Sequence, residues 1–257
     1  MNAHSLNKQF VVIAHESGRD VSALPTWSDD DSGVLRYDDH HNNTVERRNV
    51  DDVPGAFQLF DVLSDDECDQ FVSITETMGY HADSPVSLPH SIRHNCNVNW
   101  VVSESVDGPI WRRCASHVTE RMGSAGALGI NARFRFYRYE KGDFFRPHTD
   151  GAWPGSRVIN GQLVQDAYGD RASLMTFLLF LSDGYEGGRT LFFVPQKNGI
   201  GIERQPLEVA VETPKGAALC FPHGAHPQHC VHAGEEIKSG NKYIMRSDIL
   251  FPFVAAN

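Results

Sequence analysis

What the sequence lacks narrows its reading first. No apolar run approaches the ~20 residues a helix needs to cross a bilayer. The apolar run near the start, Phe10 to Ala14, is too short for the core of a secretory signal. Cysteine is sparse: Cys68, Cys96, Cys114, Cys220 and Cys230 are odd in number and form no C-x-x-C. That argues against a disulfide framework and for a reducing, cytoplasmic setting without a membrane. Basic residues are outnumbered, 23 against 33 acidic ones, for a net charge of −10. Such a balance argues against nucleic acid as a partner, because a phosphate backbone recruits the opposite charge. No internal repeat is present.

What remains is ordinary for a globular protein. The 257 residues are 40% hydrophobic and 22% charged, enough for one large β-rich domain plus an extension. Residues 1–52 read as a polar N-terminal extension, with runs such as Asp38-Asp39-His40-His41 expected as solvated loop. The remainder, 53–257, reads as the domain proper. Phe57 to Val62 patterns as a strand, and Ser64 with Glu67 forms a capping box. The helix this box opens carries Cys68, Phe71, Val72 and Thr75 on one face and ends at Gly79. A second helix is expected to start at Pro109 and end at Gly123. Cys96 to Val101 alternates as a strand between the two helices.

After residue 131 the period changes to two. Phe134 and Phe136 alternate with Arg133, Arg135, Tyr137 and Tyr139. Ser173 to Leu181 is a near-continuous apolar run, suited to a strand buried on both faces. Thr190–Val194, Leu207–Glu212, Ala217–Phe221 and Lys242–Leu250 follow as further strands. Two aperiodic stretches interrupt them, 151–170, expected as an active-site lid, and 195–206. Many strands with Gly and Pro turns predict a mainly β fold, a barrel or jelly roll.

The chemistry centres on Phe144-Phe145-Arg146-Pro147-His148-Thr149-Asp150. Two residues apart on an extended chain, His148 and Asp150 leave the same face. An imidazole and a carboxylate presented together can chelate a divalent metal, and one more histidine would complete a 2-His-1-carboxylate triad. The candidates are His223, His226, His229 and His232, and spacing alone does not choose among them. Structural zinc is disfavoured, since no paired knuckles of ligands are present. After His232, Gly234 and Gly240 permit turns that would return Lys242 beside the histidine's strand. A buried cation there suits a ligand carboxylate.

Taken in order, several segments resemble one family. They are Tyr139-Glu140-Lys141-Gly142, His148-Thr149-Asp150, Glu186-Gly187-Gly188-Arg189-Thr190, an H-x-G beginning at His232 and a G-x-K ending at Lys242. Over about residues 55 to 251 the chain is similar to the prolyl 4-hydroxylase-like branch of the Fe(II)- and 2-oxoglutarate-dependent dioxygenases. The resemblance implies a double-stranded β-helix with N-terminal helices packed on its major sheet. It implies His148, Asp150 and His232 as iron ligands. Lys242 would pair with the distal carboxylate of 2-oxoglutarate, with Arg246 as its competitor because a sister branch has an arginine about 14 residues past the second histidine, while Tyr139 and Thr176 would assist co-substrate binding. Where some members carry a tyrosine, this chain has Phe180. The implied reaction consumes O₂ and 2-oxoglutarate, yields succinate and CO₂, and hydroxylates an unactivated C–H bond, with ascorbate keeping the iron ferrous. The implied substrate is a prolyl or other side chain in a protein or peptide. The alternatives are a free amino acid or small metabolite, or a cupin-like metal-binding protein without oxygenase activity.

Overall fold

The period-two alternation of the sequence becomes two β-sheets in the computed structural model, which describes residues 9–39, 41, 44–85, 88–196 and 205–253. His40 of the expected solvated loop and residues 197–204 of the stretch 195–206 lie outside the described residues. Ten strands form the larger sheet: β1 (Phe10–Glu16), β2 (Leu24–Asp29), β3 (Glu46–Asn49), β4 (Phe57–Phe60), β6 (Cys96–Val101), β9 (Gly129–Ile130), β10 (Arg133–Tyr139), β14 (Arg171–Phe180), β18 (Ala218–Pro222) and β21 (Lys242–Pro252). Their order is β1-β2-β6-β10-β21-β14-β18-β4-β3, with β9 beside β21. The smaller sheet has five strands in the order β17 (Leu207–Val211), β16 (Thr190–Val194), β19 (Val231–Gly234), β11 (Phe144–His148) and β5 (Arg93–His94). Short pairs complete the set: β7 (Arg121–Met122) with β8 (Ala125–Gly126), β12 (Arg157–Ile159) with β13 (Gln162–Val164), and β15 (Glu186–Gly187) with β20 (Ile237–Ser239). The described chain is mainly β, with two α-helices, α1 (Asp65–Met78) and α2 (Glu104–Cys114).

Alternation on β10 explains why the molecule has two apolar clusters. Phe134 and Phe136 enter one with Trp100 of β6 and Phe71 of α1. The Phe71 ring lies 6.1 Å from Trp100 and 5.8 Å from Phe136. Tyr137 and Tyr139, on the opposite face, enter the second cluster with Phe180, Phe192 and Phe221, which joins residues of both sheets. Each fully buried ring contributes roughly 1.5–3 kcal/mol, so the two faces of this strand anchor both layers. The α1 helix begins as its capping box requires: Ser64 Oγ accepts from the Glu67 amide, and Glu67 returns a bond to the Ser64 amide. Glu67 goes further and takes the Arg113 guanidinium at 2.8 and 2.9 Å, a buried link between the helices.

Three expectations change. The second helix starts at Glu104, not Pro109, and ends at Cys114 before Gly123; Pro109 lies inside it. The true start signal is the acidic first turn, Glu104 and Asp107, after Ser103. The stretch 151–170 is not structureless, since it folds into the β12–β13 hairpin. Arg157 pins it to Asp107 of α2 at 2.5 and 3.1 Å. Finally, the polar segment before residue 52 supplies β1, β2 and β3 to both edges of the larger sheet. Its anchors lie far off in sequence, which is why no local periodicity announces them: Phe10 of β1 meets the Trp100 ring edge-on at 5.3 Å, and Leu24, Val34 and Val45 are buried. Asp29 accepts from the Trp100 indole at 2.8 Å and the Ser103 amide at 2.9 Å. Arg47 pairs with Glu120 at 2.7 Å and lies 3.7 Å over the Phe57 ring.

Candidate metal centre

Antiparallel pairing does the work of assembly. Strands β11 and β19 bring His148 directly opposite His232, so two residues 84 apart in sequence become cross-strand neighbours. Their ring centroids lie 4.2 Å apart. Asp150, just past the end of β11, completes the group: one ligand atom from each of His148, Asp150 and His232 falls within 4.8 Å of the others. His148 Nε2 lies 3.8 Å from Asp150 Oδ1, and His232 Nε2 lies 3.5 Å from Asp150 Oδ2.

The surroundings set the protonation of all three. His148 Nδ1 donates to the Arg146 carbonyl at 2.8 Å, and His232 Nδ1 to the Cys230 carbonyl at 3.3 Å. Each bond leaves the Nε2 lone pair free to face a metal. Burial, then the neighbouring His232, lowers the His148 pKa to about 4. Burial lowers His232 as well. Burial, the largest single influence, would raise Asp150, but the Arg246 guanidinium 2.7 Å away, His232, His148 and the Thr176 hydroxyl together outweigh it and hold the carboxyl well below the usual range. Near neutral pH the group therefore offers two neutral imidazoles and a carboxylate, a donor set that fits a divalent first-row metal. Phe145 covers His148 in a stacked contact with centroids 3.5 Å apart.

A cavity opens between the sheets beside this group, lined among others by Tyr139, Thr176, Lys242 and Arg246. Lys242 reaches it by a route unlike the expected one. The turns at Gly234 and Gly240 do not return the chain beside β19. They carry it across to the larger sheet, where Lys242 opens β21 and pairs with Tyr139 of β10. Lys242 thus meets the cavity from the facing layer. Its ammonium is buried, donates to the Gly188 carbonyl, and lies 4.9 Å from the Phe180 ring and 5.8 Å from that of Tyr139. Burial lowers its pKa to about 7; Glu235 opposes this only from a distance, since its carboxylate is held by Arg189 at 2.8 Å. The approach explains the glycine pair. A Cβ on Gly188 (φ +68) would sit 2.4 Å from Ile237 Cδ1 and 3.2 Å from Lys242 Cδ. Tyr139 is buried, with Asn95 on its phenol, and burial pushes its pKa up.

Thr176 is placed differently from its expected role. Its hydroxyl lies 2.6 Å from Asp150 Oδ2, so its proton is committed to that carboxylate rather than to a co-substrate. Arg246, weighed as a rival to Lys242, instead bridges Asp150 at 2.7 Å and Asp248 at 3.2 Å. His223 is buried behind Thr176, while His226 and His229 lie outside the three-residue group. Period two on β21 puts Lys242, Ile244, Arg246 and Asp248 on one face, a signal that could have exposed this acid–base cluster in advance.

Known proteins share this fold. No family model matches the chain. Among solved structures, a 2OG-Fe(II) oxygenase family oxidoreductase from Burkholderia pseudomallei aligns at TM-score 0.50 and 12% identity, covering 79% of this chain and 88% of that one. A Trichoplax adhaerens prolyl hydroxylase, solved with a hypoxia inducible factor peptide fragment, aligns at TM-score 0.50 and 15% identity, covering 77% and 83%. The fold is therefore that of the 2-oxoglutarate–Fe(II) oxygenases. The sequence is 33% identical over 122 residues to "Probable prolyl 4-hydroxylase 9" of Arabidopsis thaliana. That match covers 43% of this chain and 38% of the length of the relative. Over that stretch the sequence is similar to a prolyl 4-hydroxylase, and the chain spans well under half the length of that relative.

Proposed function

We propose that the chain is an Fe(II)- and 2-oxoglutarate-dependent dioxygenase that hydroxylates an unactivated C–H bond, with a prolyl or other side chain of a protein or peptide as substrate. One observation carries this: donors from His148, Asp150 and His232 converge within 4.8 Å beside a cavity that also holds a buried lysine. The reading takes the two sheets as the layers of a double-stranded β-helix, with α1 and α2 on the major one. It takes 53–257 as the dioxygenase domain and 1–52 as the segment preceding it. All five cysteines are free, which supports a reducing compartment such as the cytoplasm.

Iron with 2-oxoglutarate would supply oxygen activation. The chain supplies the rest. His148 and His232 hold their Nδ1 protons on backbone carbonyls and present Nε2 to the metal. Asp150 adds one negative charge, held in place by Thr176 and Arg246. Lys242 would take the distal carboxylate, a charge-assisted bond contributing roughly 1.5–3 kcal/mol. Phe180, Tyr139 and Ile244 exclude water around that pair, which strengthens it. The Burkholderia and Trichoplax structures support the fold, and the Arabidopsis relative supports the prolyl-hydroxylase branch.

Anaerobic titration with Fe(II) and 2-oxoglutarate tests the reading. A weak visible charge-transfer band should form, and should vanish in His148→Ala and Asp150→Ala. A wild-type protein that never forms the band is a cupin-like metal binder instead. Mass spectrometry of peptide and free amino-acid libraries, searched for the gain of one oxygen, then separates a peptide substrate from a small one.

A further inference from the structure

Behind Asp150 runs a chain of buried polar groups that the metal centre itself does not use. The Trp153 amide donates to Ser173 Oγ at 2.9 Å. Ser173 Oγ lies 2.8 Å from His223 Nε2, His223 Nδ1 lies 2.9 Å from Thr176 Oγ1, and Thr176 Oγ1 lies 2.6 Å from Asp150 Oδ2. Ser173, His223 and Thr176 are all buried. One proton assignment satisfies every link. Asp150 is ionised, so Thr176 must donate to it; Thr176 has a single hydroxyl proton, so it must accept from His223 Nδ1–H. The His223 Nε2 lone pair then accepts from Ser173, whose oxygen accepts from the amide. Segment 223–224 is tied to the same place by its backbone: the Gly224 amide donates to the Asp150 carbonyl at 3.0 Å.

We infer that His223 is a positioning residue for the metal centre: as a neutral Nδ1–H imidazole it orients the Thr176 hydroxyl, which fixes the Asp150 carboxylate. The other oxygen, Oδ1, is held by Arg246, so the carboxylate is gripped from both sides. Groups that orient a metal ligand from behind typically change metal affinity 10–100-fold when removed. The inference rests on the proposed metal centre and deepens it.

Co(II) is the probe, because its visible d–d bands report both affinity and ligand geometry without turnover. In the full chain, His223→Leu should weaken Co(II) binding by at least tenfold and shift the bands. His223→Asn, whose amide nitrogen overlays Nδ1 and still donates to Thr176, should stay within about threefold of wild type on the same scale. Thr176→Val should match His223→Leu, and the double variant should be no weaker than Thr176→Val alone, because both act through one bond. Unchanged affinity and bands in a folded His223→Leu would overturn the inference, and so would losses that multiply in the double variant. Should His223→Leu fail to fold, His223→Gln carries the test, since its amide nitrogen overlays Nε2 and leaves Thr176 without the Nδ1 donor: a loss of at least tenfold supports the inference, and affinity equal to that of His223→Asn overturns it. Wild-type protein that binds no Co(II) would remove the centre itself, a result distinct from a relay that fails while the centre binds.

Discussion

Lys242 offers the sharpest perturbation. Its ammonium is only 4% exposed, and its pKa falls from 10.5 to about 7 because burial disfavours the charge. The unfolded chain keeps the ordinary value, so between about pH 7 and 10.5 it binds more protons than the folded one. Stability therefore rises with pH across that window, and the full penalty is present below it. At about 1.4 kcal/mol per pKa unit, the buried charge costs the ligand-free protein on the order of 4 kcal/mol at pH 7. Lys242→Met keeps the volume and removes the charge, at the cost of about 1 kcal/mol for the bond to Gly188. The variant should thus be more stable than wild type by about 3 kcal/mol at pH 7, and by close to nothing at pH 10. Urea denaturation at the two pH values measures this. With Co(II) bound, 2-oxoglutarate should invert the order. Wild type gains about 2.7 kcal/mol at one hundred times its dissociation constant, and the variant gains almost none. A variant no more stable than wild type at pH 7, or an advantage independent of pH, would refute the reasoning.

Other outcomes follow from particular contacts. Because burial holds the His148 pKa at about 4 and lowers His232, Co(II) affinity should fall less from pH 8 to 6 than it would for two ordinary histidines; isothermal titrations at several pH values check it. Arg113→Met leaves Glu67 buried and unpaired, and should cost about 3–5 kcal/mol in urea denaturation. Gly187→Ala places a Cβ 2.3 Å from the Glu236 carbonyl oxygen at φ +77, so unfolding should become easier by about 1–3 kcal/mol, with weaker 2-oxoglutarate binding. Arg157→Ala should leave the metal centre intact and raise amide hydrogen exchange in the β12–β13 hairpin, because it removes the tie to Asp107.

The sequence was most legible where one period governed several residues. Alternation identified both faces of β10, and Cys96–Val101 matches its strand end to end. The capping box located α1 because its logic spans four residues. His148 and Asp150 could be paired because two positions on an extended chain share a face. Legibility failed where a contact depended on register between distant strands. Nothing local tells that Thr176 lies opposite Asp248, or Leu178 opposite Arg246, yet that pairing builds the cluster around Asp150. Lys242 lines the cavity but stands on the layer opposite the one expected, since a glycine turn permits a sharp bend without dictating where the next strand lands. The early strands were hidden for a related reason. Their anchors, such as Phe10 and Asp29 on Trp100, are single contacts across more than seventy residues.

The position of β21 has a consequence for biosynthesis. It follows every other described strand in the chain, yet it lies in the middle of the larger sheet, between β10 and β14. As the polypeptide leaves the ribosome, those two strands emerge with their shared partner still untranslated, and the hydrogen-bonding edges that β21 will join stay unpaired. The sheet can be completed only after residue 252 has cleared the exit tunnel. Nascent chains should therefore occupy chaperones for longer than their size alone would suggest, and truncation within β21 should leave no folded remnant.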